Sequence, residues 1–214
     1  MLPIVEIFHS LQGESTRAGR PCAFIRLVGC NLDCSWCDTR YADNEPGREL
    51  SIDMILAAIK PYGAALAEIT GGEPLLHQHT PALAARLASE GYETLVETNG
   101  SLDISLLPYP VARIVDFKAP SSGQTHMNHM GNLAHLRRGD EVKIVVADRN
   151  DYEWAKRLIL DAAFPRVVVE TLLSPVIDRL PPADLAAWII DDRLSARLNL
   201  QLHKFIWPGQ DRGV

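Results

Sequence analysis

Three cysteines constrain this chain more than any other feature. They lie in the stretch Gly29-Cys30-Asn31-Leu32-Asp33-Cys34-Ser35-Trp36-Cys37-Asp38-Thr39, a C-x3-C-x2-C pattern. Three thiolates from one short loop can hold three corners of a cubic [4Fe–4S] cluster, whereas a cluster held wholly by protein takes four cysteines. Three ligands leave one iron open, and an open iron can bind a small molecule. Two other readings of these cysteines stand beside this one. A structural zinc site would need Cys22 as fourth ligand, but zinc ribbons bring two C-x2-C pairs from separate knuckles and the second pair is missing here. A disulfide framework suits short secreted chains, and this chain is neither short nor led by a signal sequence. Cys22 lies in an apolar, strand-like run and reads as a small buried residue.

A chain of 214 residues is long enough for one domain with a substantial core, expected to span 1–214. Its 47% hydrophobic and 22% charged residues are ordinary for a globular protein. No apolar run reaches membrane-spanning length. The start, Met-Leu-Pro-Ile-Val-Glu, has neither a basic n-region nor an apolar h-region, which predicts a cytoplasmic protein. A formal net charge of −6 argues against broad nucleic-acid binding, which needs a basic face. No internal repeat or low-complexity segment is evident.

Short β-rich runs alternate with helical patterns. The expected strands are Ile4–Phe8, Ala23–Val28, Ala67–Thr70, Thr94–Thr98, Arg113–Phe117, Val142–Ala147, Val167–Glu170 and Asn199–His203. The expected helices are Ser51–Lys60, Pro81–Glu90, Leu133–Arg138, Tyr152–Ala162 and Ala183–Asp191, with Ser51 as an N-cap and Pro181-Pro182 marking a helix start. Interleaving of this kind predicts an α/β fold with a parallel sheet. Most of the strands end in a polar group: Thr70, Glu97, Asp116, Glu170 and His203. A parallel barrel builds its active site from such C-terminal ends. The chain is short for a complete eightfold barrel, so a partial, open barrel is expected.

Two further features carry chemistry. Gly71-Gly72-Glu73-Pro74 follows a strand, and its glycines allow close approach of backbone to a ligand, although alone it reads as a turn. In Ala23-Phe24-Ile25-Arg26-Leu27-Val28, strand alternation puts Arg26 on one face with Phe24 and Val28. A buried arginine needs an anionic partner. Its planar fork suits a ligand carboxylate, and an internal ion pair with Glu6 or Glu14 is the other reading. The pairs His77/His79 and His126/His129 have metal-like spacing but no accompanying cysteine or carboxylate cluster, and read as loop residues.

The cysteine loop with aromatic Trp36 before its last cysteine resembles the signature of the radical S-adenosylmethionine (SAM) superfamily, and Gly71–Pro74 resembles that superfamily's GGEP motif. Within it, Ser10-Leu11-Gln12-Gly13-Glu14 and Cys37-Asp38-Thr39-Arg40-Tyr41-Ala42 resemble the 7-carboxy-7-deazaguanine synthase family. So do Glu68–Leu75, Val96–Gly100, Asp116–Gly123 and Leu200–Lys204. The resemblance covers nearly the whole chain. Ser15 stands where the family usually has a second glycine, and the six residues after Pro208 are unmatched.

The resemblance implies a partial TIM-like barrel of the radical SAM type and a lyase activity. That activity converts 6-carboxy-5,6,7,8-tetrahydropterin to 7-carboxy-7-deazaguanine with loss of ammonia, a step toward queuosine and other 7-deazapurines. The cofactors implied are a [4Fe–4S] cluster on Cys30, Cys34 and Cys37, SAM, and Mg²⁺ on Thr39. A hydroxyl capping its own loop is the other reading of Thr39. Substrate contacts fall on Leu11, Gln12, Gly13, Glu14, Arg26, Thr70, His203 and Pro208. SAM contacts fall on Trp36, Cys37, Asp38, Gly72, Glu73, Glu97, Asp116, Phe117, Lys118 and Ser174, although Asp116 and Lys118 also read as a surface ion pair. The implied partners are an electron donor such as flavodoxin and a second copy of the chain in a homodimer, with no nucleic acid and no membrane. Two rival functions share some of these features. A glycyl-radical activating enzyme has similar cluster spacing and size, but lacks the Gln12-Gly13-Glu14 and Asp38-Thr39 motifs. A zinc-stabilised binding module would hold zinc in place of iron and sulfide.

Overall fold

The structure is a computed structural model that describes residues 1–161, 169–210 and 212–214. Its framework is a nine-stranded sheet with the order β3-β1-β2-β4-β5-β6-β7-β8-β9. The strands are β1 (Leu2–Leu11), β2 (Pro21–Leu27), β3 (Arg48–Leu50), β4 (Leu66–Gly71), β5 (Glu93–Thr98), β6 (Ala112–Asp116), β7 (Glu141–Val146), β8 (Glu170–Pro175) and β9 (Arg197–Leu198). The hairpin partner β1 runs antiparallel to both β2 and β3. From β2 through β9 every pairing is parallel. No pairing joins β9 to β3 among the described residues, so the barrel is open.

Alternation along the strands sorts the core into an outer and an inner layer. Ala23, Ile25 and Leu27 of β2 and Ala67 and Ile69 of β4 face outward. They pack against Ile55 and Ile59 of α2 (Ile52–Ile59) and Leu83 and Leu87 of α3 (Thr80–Ser89). Further along, Val142, Ile144 and Val146 of β7 meet Tyr152, Ala155 and Ile159 of α4 (Arg149–Asp161) and Leu185 of α5 (Pro182–Asp191). The inner layer is smaller. Phe8, Cys22, Phe24, Leu66, Leu95, Ala112 and Ile114 form a floor across the barrel, with Phe8 and Phe24 stacked at 4.8 Å. Above this floor the inward positions turn polar.

The loop after β1 spans the open side of the barrel. Ser15 N–H donates to Asn199 Oδ1 (3.0 Å), Thr16 N–H donates to the Glu141 carboxylate (3.2 Å), and Leu202 N–H donates to the Gly13 carbonyl (2.9 Å). Ser15 has φ 66°, the left-handed region that favours glycine, and its buried bond to Asn199 holds it there. The backbone thus keeps a glycine-like turn where the family usually has a glycine.

Several expectations from the sequence are corrected. The run Asn199–His203 is not a strand: β9 ends at Leu198 and α6 (Leu202–Ile206) follows. Asn199 is pulled inward by bonds to Ser15, Ser174 and Glu14, which ends the extended run. A helix at Leu133–Arg138 is replaced by a short 3₁₀ segment, Met130–His135. There Asn132 is fully buried and pins the loop by donating to the carbonyls of Gly100 and Leu102. Of the expected strand Val167–Glu170, residues 167–168 lie outside the described residues, as does Ala162 at the end of the expected fourth helix. The short β3 and α1 (Tyr41–Asn44) have no counterpart among the expected elements. Ser51 does cap α2, accepting from Met54 N–H at 3.2 Å.

Candidate functional site

A cavity of about 790 Å³ opens at the C-terminal ends of the parallel strands. The cysteine loop forms one wall. It leaves β2 at Leu27 and is held on two sides: Gly29 N–H donates to the Ala42 carbonyl (3.0 Å), and Glu73 N–H donates to the Gly29 carbonyl (2.8 Å). Gly72 lies so close that a Cβ there would fall 2.1 Å from Gly29 O and 2.8 Å from Cys30 N. On the outer side Ser35 N–H donates to Ser122 O (3.1 Å), and Arg40 donates to the Cys34 carbonyl (2.6 Å).

Cys30, Cys34 and Cys37 all line the cavity, and all are free thiols. Burial raises the Cys30 pKa, against the pull of Leu32 N–H and Asn99 Nδ2, which donate to Cys30 Sγ at 3.5 and 3.6 Å. Burial pushes the Cys34 thiol up to about 11, with Lys118 pulling the other way. Binding iron therefore has to displace these protons, as thiolate ligation does. Among the described residues no three or more His, Cys, Asp or Glu side chains converge on a single ion position. Three thiols from one loop facing one cavity suit a cluster that takes one thiolate per iron. Cys22 stands apart in the barrel floor, its thiol facing the Ala23 carbonyl, and burial raises its pKa. The residues present fit a three-cysteine cluster.

The cavity also fits a cofactor beside that cluster. Asp116 Oδ2 accepts from Lys118 at 2.9 Å, whereas Asp116 Oδ1 is buried without a partner, an acceptor awaiting a donor. Burial alone would lower the Lys118 pKa, but Asp116 outweighs it and keeps the ammonium charged. Trp36, Cys37, Asp38, Gly72, Glu97, Asp116 and Lys118 all line the cavity. Asp38 is bound by Lys204 at 2.9 Å. Burial pushes its carboxyl up, but Lys204 prevails and holds it at about 2.

Three residues expected at the cofactor do not line the cavity. Glu73 is fully buried behind the loop, where its carboxylate accepts from Leu75 N, Thr98 Oγ1 and Asn99 N at 2.9, 2.8 and 2.6 Å. Phe117 follows Asp116, so alternation sends its ring outward into the core with Ile144 and Tyr152. Ser174 is buried at the end of β8 and accepts from Asn199 Nδ2 at 2.8 Å.

The opposite wall collects the residues expected at the substrate. Leu11 ends β1 and Gln12, Gly13 and Glu14 follow it, Arg26 is on β2, Thr70 on β4 and His203 in α6, and all line the cavity. Pro208 does not: it is exposed, although its neighbours Trp207 and Gly209 both line the cavity. A Cβ on Gly13 would lie 2.4 Å from His203 Nδ1, so glycine is what lets the imidazole approach. Burial lowers the His203 pKa, which keeps the ring neutral near pH 7. Thr39 lines the cavity with its hydroxyl 3.8 Å from Cys37 Sγ.

Two charged residues that the sequence reading passed over stand at the centre. Glu68 on β4 is almost fully buried and accepts from the Gln12 amide. Burial and the nearby Glu97 and Glu14 raise its pKa well above the usual carboxylate range. Lys143 on β7 donates to Glu14 at 2.5 Å and Glu97 at 2.7 Å. Burial would lower its pKa, but the two carboxylates raise it well above normal. The signal that marks Arg26, a charge at an inward position of an apolar strand, also marks Glu68 in Leu66–Gly71 and Lys143 in Glu141–Val146.

The sequence profile of the Radical SAM superfamily matches residues 24–116. The chain is 40% identical to the 7-carboxy-7-deazaguanine synthase of Koribacter versatilis, with all of both chains covered. It is 43% identical to the enzyme of that name from Chlorobaculum tepidum, over all of this chain and 97% of the relative. The crystal structure of QueE from Escherichia coli superposes with a TM-score of 0.77 at 27% identity, covering 94% of each chain. SuiB of Streptococcus suis, crystallised with S-adenosylmethionine, shares only the fold, with a TM-score of 0.56 at 15% identity over 85% of this chain and 50% of its own. Whole-length similarity at this level, together with a cavity that gathers the cysteine loop and the Gln12–Glu14 segment, establishes that the chain belongs to the 7-carboxy-7-deazaguanine synthase family of radical SAM enzymes.

Proposed function

We propose that this chain is a lyase that converts 6-carboxy-5,6,7,8-tetrahydropterin to 7-carboxy-7-deazaguanine with release of ammonia. One observation carries the reading beyond family membership. A single cavity holds the three cluster cysteines on one wall and Gln12, Glu14, Arg26, Thr70 and His203 on the other. Family membership brings a [4Fe–4S] cluster and SAM, which with one electron from a reductant would supply abstraction of a hydrogen atom from carbon.

The residues of the chain bind, orient and exclude water. Glu97, Asp116 and Lys118, with the backbone of Trp36–Asp38 and Gly72, receive SAM. Asp116 Oδ1, buried and unpartnered, supplies one acceptor. Arg26 donates Nε–H to Glu6 and presents the rest of its guanidinium to the cavity, where a substrate carboxylate would meet it. Neutral His203 and the carboxylate of Glu14 offer hydrogen-bonding groups to the edge of a pterin ring. Phe8, Phe24 and Ile114 close the cavity floor to water.

Thr39, which lines the cavity, would be the protein ligand for Mg²⁺, a hard cation that takes oxygen ligands. The reading also includes one domain over residues 1–214, a homodimer, a flavodoxin-like electron donor and a cytoplasmic location. In keeping with the last, none of the helices among the described residues is long and apolar enough to cross a membrane. An anaerobic assay with SAM, a reductant and the carboxytetrahydropterin tests the activity. Appearance of the 7-deazaguanine acid and ammonia is expected, with a rate that rises on adding Mg²⁺ in the wild type and much less in Thr39→Val. Absence of product from cluster-loaded protein would reject the reading.

A further inference from the structure

Lys143 projects from the inward face of β7, between Glu141 and Val145, into the middle of the cavity. Its ammonium is the charged group that touches carboxylates of both walls, beside the neutral amide of Gln201, which donates to Glu14 at 2.8 Å and to Asp38 at 3.4 Å. Glu14 lies 2.5 Å away on the pterin side and Glu97 2.7 Å away on the SAM side. The lysine side chain is 7% exposed, so water screens these contacts little. Each carboxylate has further ties on its own wall. Asn199 and Gln201 donate to Glu14 at 3.2 and 2.8 Å, and Thr70 donates to Glu97 at 3.5 Å.

We propose that Lys143 is a positioning residue that couples the two halves of the cavity, passing the occupancy of Glu14 to Glu97 and back. The inference rests on the assignment of the two walls to SAM and to the pterin. An ammonium has three donors and no acceptor, and two are committed to these two carboxylates. A ligand that donates to Glu14 competes with Lys143 for its lone pairs and shifts the lysine toward Glu97. A ligand on the SAM side that donates to Glu97 would act in the reverse direction. Such a coupling is reciprocal, because the two ligands share one thermodynamic cycle.

Equilibrium dialysis of SAM against cluster-loaded protein, without reductant, reads this directly. Glu14→Gln removes the charge on the pterin side without touching the SAM wall. In the Lys143 background it should change SAM affinity by about fivefold or more, the lower range of site-to-site coupling. In a Lys143→Met background the same Glu14→Gln substitution should change SAM affinity by a clearly smaller factor, the remainder coming from the amide of Gln201, which also joins Glu14 to Asp38, and from direct repulsion between the carboxylates. Lys143→Gln serves as the second background if the methionine variant does not fold. The mirror experiment measures carboxytetrahydropterin binding with and without Glu97→Gln. If Glu14→Gln leaves SAM affinity unchanged with Lys143 present, or changes it equally with Lys143 replaced, the coupling is overturned. If the wild type does not bind SAM at all, the assignment of the walls fails instead.

Discussion

Arg26 Nε donates to Glu6 Oε1 at 2.8 Å, and the Tyr41 hydroxyl donates to the same oxygen at 2.8 Å. The guanidinium also lies 5.8 Å from the ring centres of Phe8 and Tyr41. Glu6 thereby fixes the plane of the fork without consuming it, because among the described residues the two terminal nitrogens of Arg26 have no hydrogen-bond partner. The internal ion pair and a ligand contact, the two readings of Arg26 in the sequence, are therefore compatible, because they would use different nitrogens.

Arg26→Lys and Arg26→Ala should therefore weaken carboxytetrahydropterin binding while sparing cluster content and SAM binding. A lost hydrogen bond to a charged group costs about 1.5–3 kcal/mol, or roughly tenfold or more in Kd. Lysine should rescue little, since it lacks the planar fork. Calorimetric titration with the pterin checks the affinity, and thermal unfolding checks the fold. Normal affinity in Arg26→Ala, or collapse of the fold, would leave only the structural role with Glu6.

The division between Cys22 and the loop cysteines is open to an equally direct test. Cys30→Ala, Cys34→Ala and Cys37→Ala should each lose iron and sulfide after anaerobic reconstitution, because each thiolate would be the sole protein ligand of one iron. Cys22→Ala should keep the full complement. It removes only a buried sulfur from the floor beneath Phe24, at a cost of about 1 kcal/mol in stability. Equal loss of iron from Cys22→Ala would show that the floor thiol is a ligand.

Much of this site was legible because its residues lie in short local motifs. The cysteine loop, Gln12–Glu14 and Gly71–Gly72 could be read as strings, and all face one cavity. Side-chain direction was less legible. Phe117 belongs to the same motif as Asp116 and Lys118, yet strand alternation sends it to the outer core. Glu73 and Ser174 brace the site from behind, through Thr98, Asn99 and Asn199, partners distant in sequence. Lys143 carries no motif, and its role depends on a loop more than a hundred residues earlier folding across the open side of the barrel. Asn199–His203 reads as a strand locally, and the bonds to Ser15, Glu14, Ser174 and Gly13 show why the chain turns there.

Glu68 gives a prediction about pH. Burial, with Glu97 and Glu14 nearby, raises its folded pKa well above the ordinary 4.5. The folded protein then holds a proton that the unfolded chain has released, so this contribution to stability is full below the ordinary value and is lost as pH rises through the folded one. Glu68→Gln removes the titration and keeps a carbonyl to accept from Gln12. The melting temperature of Glu68→Gln relative to wild type should therefore rise from about pH 5 to about pH 8. Thermal unfolding at several pH values measures it. A constant difference would mean that Glu68 is ionised in the folded protein.

Gly72→Ala tests whether the GGEP turn shapes the cluster loop. A methyl group at this position would meet backbone, at 2.1 Å from Gly29 O and 2.8 Å from Cys30 N, and backbone cannot swing aside as a side chain can. The loop would have to move outward, carrying Cys30 away from Asn99 and from the geometry shared with Cys34 and Cys37. Overpacking of this kind costs about 1–3 kcal/mol, which a domain of ordinary stability survives. The variant should fold with a lowered melting temperature and take up clearly less iron and sulfide than the wild type under the same anaerobic reconstitution. Iron content and thermal unfolding, measured on one preparation, separate the two effects. A full iron load with an unchanged melting temperature would mean that the loop does not depend on the close approach of Gly72.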